Sequence, residues 1–63
     1  MTHIEYKKRN EIETAIAGLE ARGFRRGLMS EPQEYEYLAD GPHEIDPLTH
    51  ETGFTLRWND PNQ

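Results

Sequence analysis

The chain has 63 residues, no cysteine, 33% hydrophobic residues and a formal net charge of −5. A chain of this length is expected to form one small domain, residues 1–63, whose few large apolar side chains cannot build both a core and the walls of a deep pocket. The composition also excludes disulfides and thiolate metal sites, and no apolar run approaches the roughly 18 residues of a membrane span.

The amino-terminal segment, MTHIEYKKRN, lacks the apolar run of a signal peptide, which favours a soluble, cytoplasmic protein. Within it, Ile4 and Tyr6 share a face at a period of two. Residues 2–9 are therefore predicted to form a short strand or an irregular arm, and an additional turn or two of helix is the alternative.

A helix is predicted for residues 10–22. Asn10 is a suitable N-cap, with Glu13 three residues later as in a capping box. One apolar stripe follows at helical spacing, formed by Ile12, Ala15, Ile16 and Leu19. Gly23 suits the left-handed position after the helix, and Phe24 can pack back on the last apolar turn, as in a Schellman motif.

After the helix the pattern changes to the period of two that is typical of strands. Strands are predicted for 24–30, with a bulge near Gly27, for 34–40 and for 53–58. Between the last two strands, residues 41–52 are predicted to be a long connection, and such loops are either functional or disordered in compact domains. The carboxyl-terminal residues are expected to be a polar tail.

These elements predict an α+β fold, with one helix packed on an antiparallel sheet of three or four strands. The helical stripe is expected to meet five inward-facing residues, namely Tyr35, Tyr37, Phe54, Leu56 and Trp58. Trp58 in particular is expected to be largely buried, because the domain has too few large side chains to leave its only tryptophan outside.

The charge is unevenly distributed along the chain. Residues 1–30 carry six bases and four acids, a balance of +2, whereas residues 31–63 carry eight acids and one base, a balance of −7. Seven of those acids lie between positions 31 and 51, where there is no lysine or arginine: Glu31, Glu34, Glu36, Asp40, Glu44, Asp46 and Glu51. Clustered like charge destabilises a compact state, so we interpret this segment as a partner-binding face.

The expected geometry of the acidic segment suits a basic partner. Alternate residues on one face of a strand are about 6.6 Å apart, so Glu34, Glu36 and Asp40 are predicted to form a spaced row of negative charge. Such a row is similar to a line of phosphates, and its natural partner is a Lys/Arg groove on a protein that holds DNA or RNA. A solvated face that only confers solubility is the simpler alternative.

In size, acidity, lack of cysteine and α+β character, the chain resembles the small proteins that phages encode against host defence, such as anti-CRISPR proteins. This resemblance implies a stoichiometric inhibitor in the host cytoplasm that mimics nucleic acid. The expected partner is a host protein or complex with a basic, nucleic-acid-binding surface, and direct binding to nucleic acid or to membrane is not expected.

Two other functions remain open. A small nucleic-acid-binding or regulatory domain could use the basic residues of the first half, which are Lys7, Lys8, Arg9, Arg25 and Arg26. A dimerising accessory subunit is the third possibility, and either a monomer or a homodimer is compatible with the composition.

Catalysis and cofactor binding are not expected. There is no glycine-rich phosphate loop and no nucleophile motif, so no catalytic residue is assigned. The donors His43, Glu44, Asp46, His50 and Glu51 lie close together, but their spacing matches neither HExxH nor an EF-hand. We therefore predict no metal and no cofactor.

Overall fold

The computed structural model describes residues 2–28 and 30–62. In chain order its elements are β1 (Thr2–Lys8), α1 (Arg9–Ala21), β2 (Arg25–Arg26), β3 (Glu36–Asp46) and β4 (Glu51–Asn59). The strands form one sheet in the order β1-β4-β3-β2. β4 is antiparallel to both β1 and β3, whereas the short β2 runs parallel to β3. The helix packs on one face of this sheet.

The α+β class with one helix on a sheet is thus confirmed, and the sheet has four strands. It is mixed rather than wholly antiparallel, because the two residues of β2 pair in the parallel direction. The strand predicted for 24–30 is reduced to Arg25–Arg26. Gly27 continues this contact by donating its N–H to the Tyr37 carbonyl, and Met29 lies outside the described residues.

The helix ends as its sequence predicts but begins earlier. Gly23 has a φ of 100° and donates to the Glu20 carbonyl, while Phe24 donates to the Leu19 carbonyl at 3.1 Å. These two bonds are the Schellman pattern. The N-cap is Lys8 rather than Asn10, and the Lys8 N–H donates to Glu11 Oε1 at 3.3 Å. Residues 2–8 form a strand, one of the two forms predicted for residues 2–9, and not additional turns of helix.

The core lies between α1 and the middle of the sheet. Its buried side chains are Ile12, Leu19, Phe24, Tyr37 and Leu56. A second group packs against it and is only partly buried: Ala15, Ile16, Ala39, Phe54 and Trp58. The inward direction of the β4 residues is therefore confirmed, although Trp58 is less deeply buried than predicted, and His3 of the edge strand stacks on its ring.

Tyr35 was wrongly placed among the inward residues of the sheet. It precedes β3, has a φ of 63° and is 49% exposed. Its backbone is fixed by a bond from the Arg25 N–H to the Tyr35 carbonyl at 2.9 Å. A left-handed residue breaks the alternation of a strand, so the period-two pattern of EYEYLA begins only at Glu36.

The carboxyl-terminal segment is tied to the end of the helix rather than forming a free polar tail. Arg22 Nη2 donates to Asp60 Oδ2 at 2.9 Å, and the Asn62 N–H donates to Asp60 Oδ1 at 2.9 Å. The bond from the Arg22 guanidinium, together with the Asn62 amide, lowers the pKa of Asp60 below its usual value.

The segment predicted as a long loop is instead the outer part of a hairpin. β3 continues to Asp46 and β4 starts at Glu51, so the turn comprises only residues 47–50. The sequence Asp40-Gly41-Pro42 suggests a strand end, but pairing resumes with His43 opposite Gly53 after a register shift. A bulge of this kind lets a strand continue past a proline that cannot join the ladder.

Candidate functional site

The outer part of the β3–β4 hairpin extends beyond the rest of the sheet. The pairing of β1 with β4 ends at Lys8 opposite Gly53, and α1 begins at the next residue. In the sheet that the structure describes, residues 44–52 therefore pair only with each other. We call residues 43–52 the distal hairpin. At about 3.3 Å per residue it extends some 10–15 Å, which agrees with a molecule 35 Å long and 21 Å wide.

Asp46 fixes the turn at the end of the distal hairpin. Its Oδ1 accepts the Leu48 N–H at 2.9 Å and the Thr49 N–H at 3.4 Å, and its carbonyl accepts the His50 N–H at 2.8 Å. The bond from the Leu48 amide, with that of Thr49, lowers the pKa of Asp46. The turn is therefore held by one oxygen of the Asp46 carboxylate together with the Asp46 backbone carbonyl.

The sides of the distal hairpin are braced by side-chain contacts. His50 Nδ1 lies 3.0 Å from Glu44 Oε1, across the end of the ladder. Ile45 packs on Gly53 so closely that a Cβ at Gly53 would come within 2.8 Å of its Cδ1 atom. A projecting hairpin that is ordered in advance loses less conformational entropy when it binds a partner.

The surface of the distal hairpin combines negative charge with one exposed apolar side chain. Leu48, in the turn, is 91% exposed. Glu44 and Asp46 lie on the β3 side of the turn and Glu51 on the β4 side. Among the described residues, the one lysine or arginine in an ion pair with these acids is Lys8, whose Nζ lies 3.3 Å from Glu51 where the hairpin leaves the sheet, and His50 contacts Glu44. The site is thus an apolar tip in an acidic rim.

The seven predicted partner-binding carboxylates fall into two groups. Glu44, Asp46 and Glu51 lie on the distal hairpin, and Asp40 is exposed one bulge away, opposite Thr55. Glu31, Glu34 and Glu36 lie near the other end of β3, about 30 Å from the turn at 3.3 Å per residue.

The spaced row of negative charge expected of Glu34, Glu36 and Asp40 is not formed. Glu34 precedes β3 and makes an isolated bridge with Asn59. Glu36 is partly buried, packs over Gly27 and accepts the Gln33 N–H at 3.1 Å. Its carboxylate therefore has a local structural role, and of these three acids only Asp40 lies on β3 with an exposed side chain.

Leu48 is the member of the site that the sequence analysis did not identify. The signal was present in the dipeptide Asp46-Pro47, since an aspartate followed by proline favours a turn closed by the aspartate side chain. Reading it as a turn would have placed Leu48 at the tip of a hairpin.

The basic residues of the first half do not form one patch. Lys7, Lys8 and Arg9 lie where β1 meets α1, whereas Arg25 and Arg26 follow the other end of the helix. A helix of 13 residues is about 20 Å long. Lys7 and Lys8 are also engaged by carboxylates, at 3.2 Å from Glu5 and 3.3 Å from Glu51.

Comparison of the chain with protein-family models, with curated proteins and with solved structures finds no match. Across residues 2–28 and 30–62, no group of three or more histidine or carboxylate side chains is arranged to hold a metal ion. The described helix is too short and too polar to cross a membrane. The geometry and charge of the distal hairpin are accordingly the basis for a functional hypothesis.

Proposed function

We propose that this protein is a non-catalytic inhibitor or adaptor that binds another protein through its distal hairpin. The observation that carries the proposal is the combination of an almost fully exposed Leu48 with a turn that Asp46 holds in place. The Leu48 side chain, exposed at the end of this projection, contributes no packing to the fold of the monomer. It is well suited to enter a recess on a partner, as the apolar anchor of an interface does.

The charge around the tip indicates the chemistry of the partner. Asp40, Glu44, Asp46 and Glu51 lie on or next to the distal hairpin, and the segment between them contains no lysine or arginine. A groove lined by lysine and arginine complements such a surface, and grooves of this kind hold the phosphate backbone of nucleic acids. The proposed target is therefore a nucleic-acid-binding protein whose groove the hairpin occupies. In its most specific form, the protein is a phage-encoded anti-defence protein of the anti-CRISPR kind.

The test of the apolar anchor uses two leucines that differ only in position. Leu48 and Leu28 are both 91% exposed, so serine at either position should leave the stability unchanged. Burial of a leucine contributes about 1.5–3 kcal/mol, which corresponds to roughly a 10- to 150-fold change in affinity. We expect Leu48→Ser to weaken capture of proteins from a bacterial lysate to this degree, and Leu28→Ser to have no effect.

The test of the acidic rim also uses a matched pair. Asp40→Lys with Glu44→Lys changes two exposed acids at the hairpin, and Glu31→Lys with Glu34→Lys makes the same change at the opposite end. We expect only the first pair to abolish capture. Because the attraction is screened over roughly 8 Å at physiological salt, bound proteins should elute in a salt gradient.

Competition with nucleic acid distinguishes the proposed target class from other proteins. Added double-stranded DNA or RNA should displace the chain from a target whose groove it occupies. Capture that survives both the Leu48 and the Asp40/Glu44 variants, or that is indifferent to nucleic acid, would show that the distal hairpin does not have this function.

A further inference from the structure

β1 is a free edge of the sheet. Its one neighbour in the described sheet is β4, with which it pairs without a register shift from Thr2 to Lys8. Two of its apolar side chains are unusually accessible, since Ile4 is 54% and Tyr6 67% exposed. A seven-residue edge with exposed apolar groups is a template for pairing with another strand.

The backbone groups that face outward can be identified from the ends of the ladder. The Lys8 N–H donates to Glu11 rather than to β4, while the Lys7 carbonyl lies beside Gly53 of β4. Since the backbone N–H and C=O groups of successive residues in a strand point in opposite directions, those of Thr2, Ile4 and Tyr6 point away from β4, toward the open edge. Lys8 is excluded from further pairing because it serves as the N-cap of α1.

We propose that a second copy of this chain pairs with β1 in antiparallel orientation, with Ile4 on the two-fold axis. In this register Ile4 lies opposite Ile4 of the second copy, and Thr2 lies opposite Tyr6 in both directions. Each of these three pairs can exchange two backbone hydrogen bonds. The product is one continuous sheet of two four-stranded halves.

The side chains favour this register over its neighbours. In an antiparallel pair, the side chains of directly opposite residues lie on the same face of the sheet, whereas successive residues of one strand lie on different faces. The two-fold axis must therefore pass through one residue of β1 and not between two residues. A dyad at Ile4 places Glu5 opposite His3 of the second copy, and brings the exposed Ile4 and Tyr6 side chains of both copies together on the other face. A dyad at Glu5 sets two carboxylates against each other, which is destabilising.

The register centred on Tyr6 is disfavoured by the backbone. It places Ile4 opposite Lys8 of the second copy, whose N–H already donates to Glu11. Only the central pair can then form both hydrogen bonds. Pairing is thus confined to residues 2–6 of each copy. In the register centred on Ile4, Lys7 and Lys8 of one copy do not lie opposite the same lysines of the other.

A second copy is also the occupant that the size of the chain favours. A chain of 63 residues buries only about 60% of the surface that it exposes when unfolded, and dimerisation adds burial. This inference is independent of the proposed function, because the edge of β1 and the distal hairpin are different surfaces.

The absence of cysteine from the chain makes the register directly testable. The Cα atom of a cysteine on the two-fold axis lies about 5.5 Å from the same atom of the second copy, which is within the range of a disulfide. For a residue one position away on the strand, the corresponding Cα–Cα distance is more than about 7 Å, which is too long for a disulfide. We expect Ile4→Cys to form a covalent dimer under mild oxidation. Its rate should exceed that of Leu28→Cys, an exposed control, by roughly tenfold or more, because pairing raises the local thiol concentration into the millimolar range.

The alternative outcomes overturn the proposal. Fastest cross-linking of Glu5→Cys or Tyr6→Cys would place the dyad elsewhere, and equal rates for Ile4→Cys and Leu28→Cys would mean that β1 does not self-pair. Sedimentation equilibrium of the unmodified chain should give twice the monomer mass at high concentration. A strictly monomeric chain would contradict the inference irrespective of the cysteine variants.

Discussion

Alanine at Gly23 isolates the energy of one backbone conformation. Gly23 follows the helix with a φ of 100°, and no atom beyond its two neighbours in the chain lies within 4 Å of the position that a Cβ would occupy. The substitution Gly23→Ala therefore introduces no steric overlap with the rest of the protein. The remaining effect is the strain of a left-handed residue that carries a Cβ, about 1–2 kcal/mol.

Gly18 provides a control with the same chemical change. It lies within α1, is exposed, and also has nothing within 4 Å of its Cβ position, but its φ is not in the left-handed region. Alanine in a helix interior is more stable than glycine by about 0.5–1 kcal/mol. Gly18→Ala should therefore stabilise the protein, and the two variants should differ in unfolding free energy by about 1.5–3 kcal/mol.

Equilibrium urea denaturation measures both changes, and thermal melts give an independent check. For a domain of this size, 1 kcal/mol corresponds to a shift in Tm of roughly 4–8 °C, so the melting curves of the two variants should lie on opposite sides of the parent curve. Shifts of the same sign would refute the assignment of Gly23 as the left-handed residue that ends α1.

Three other outcomes are expected. Tyr37→Phe should reduce stability by about 0.5–1.5 kcal/mol in urea denaturation, since the Tyr37 hydroxyl donates to Glu20 Oε2 at 2.9 Å; no change would contradict this bond. Burial, together with Glu20, raises the pKa of Tyr37, so the folded state keeps a proton that the unfolded chain releases above pH 10.0. The stability of the parent should therefore fall as the pH rises above 10.0, and that of Tyr37→Phe should fall less steeply. The pKa of Asp46 is lowered, so the ionised carboxylate stabilises the turn above the ordinary aspartate value of 3.8, and this stability is lost as the pH falls through the lowered pKa. The difference in stability between the parent and Asp46→Ala should therefore close in acid. A difference that does not depend on pH would exclude this role.

The features that sequence predicted well are those that neighbouring residues determine. The end of α1 depends on the conformational freedom of Gly23 and on the contact of Phe24 with the preceding turn, both within six residues. The inward face of β4 follows from the alternation of Phe54, Leu56 and Trp58. In these cases the local pattern and the tertiary packing require the same arrangement.

The features that sequence missed depend on partners distant in the chain. Pro42 indicates a strand end, yet β3 continues because its residues beyond the bulge find β4 across the hairpin. Tyr35 fits the alternation of β3, but Arg25 on a strand ten residues earlier holds its backbone in another conformation. The acidic segment could be identified from its charge alone. Its division into two groups at opposite ends of the molecule could not, because it depends on β3 running as one strand from Glu36 to Asp46.

The two proposed surfaces impose a definite geometry on any complex. Each distal hairpin projects beyond the carboxyl-terminal end of β1, since the pairing of β1 with β4 stops at Lys8. Antiparallel pairing about Ile4 turns one copy through 180°, so the two hairpins must point away from each other at opposite ends of the joined sheet. They cannot enter the same groove. A dimer would therefore engage two targets, or two separate grooves of one assembly. Bivalent binding would raise the affinity only if the distance between those grooves matches the distance between the two hairpins of the joined sheet.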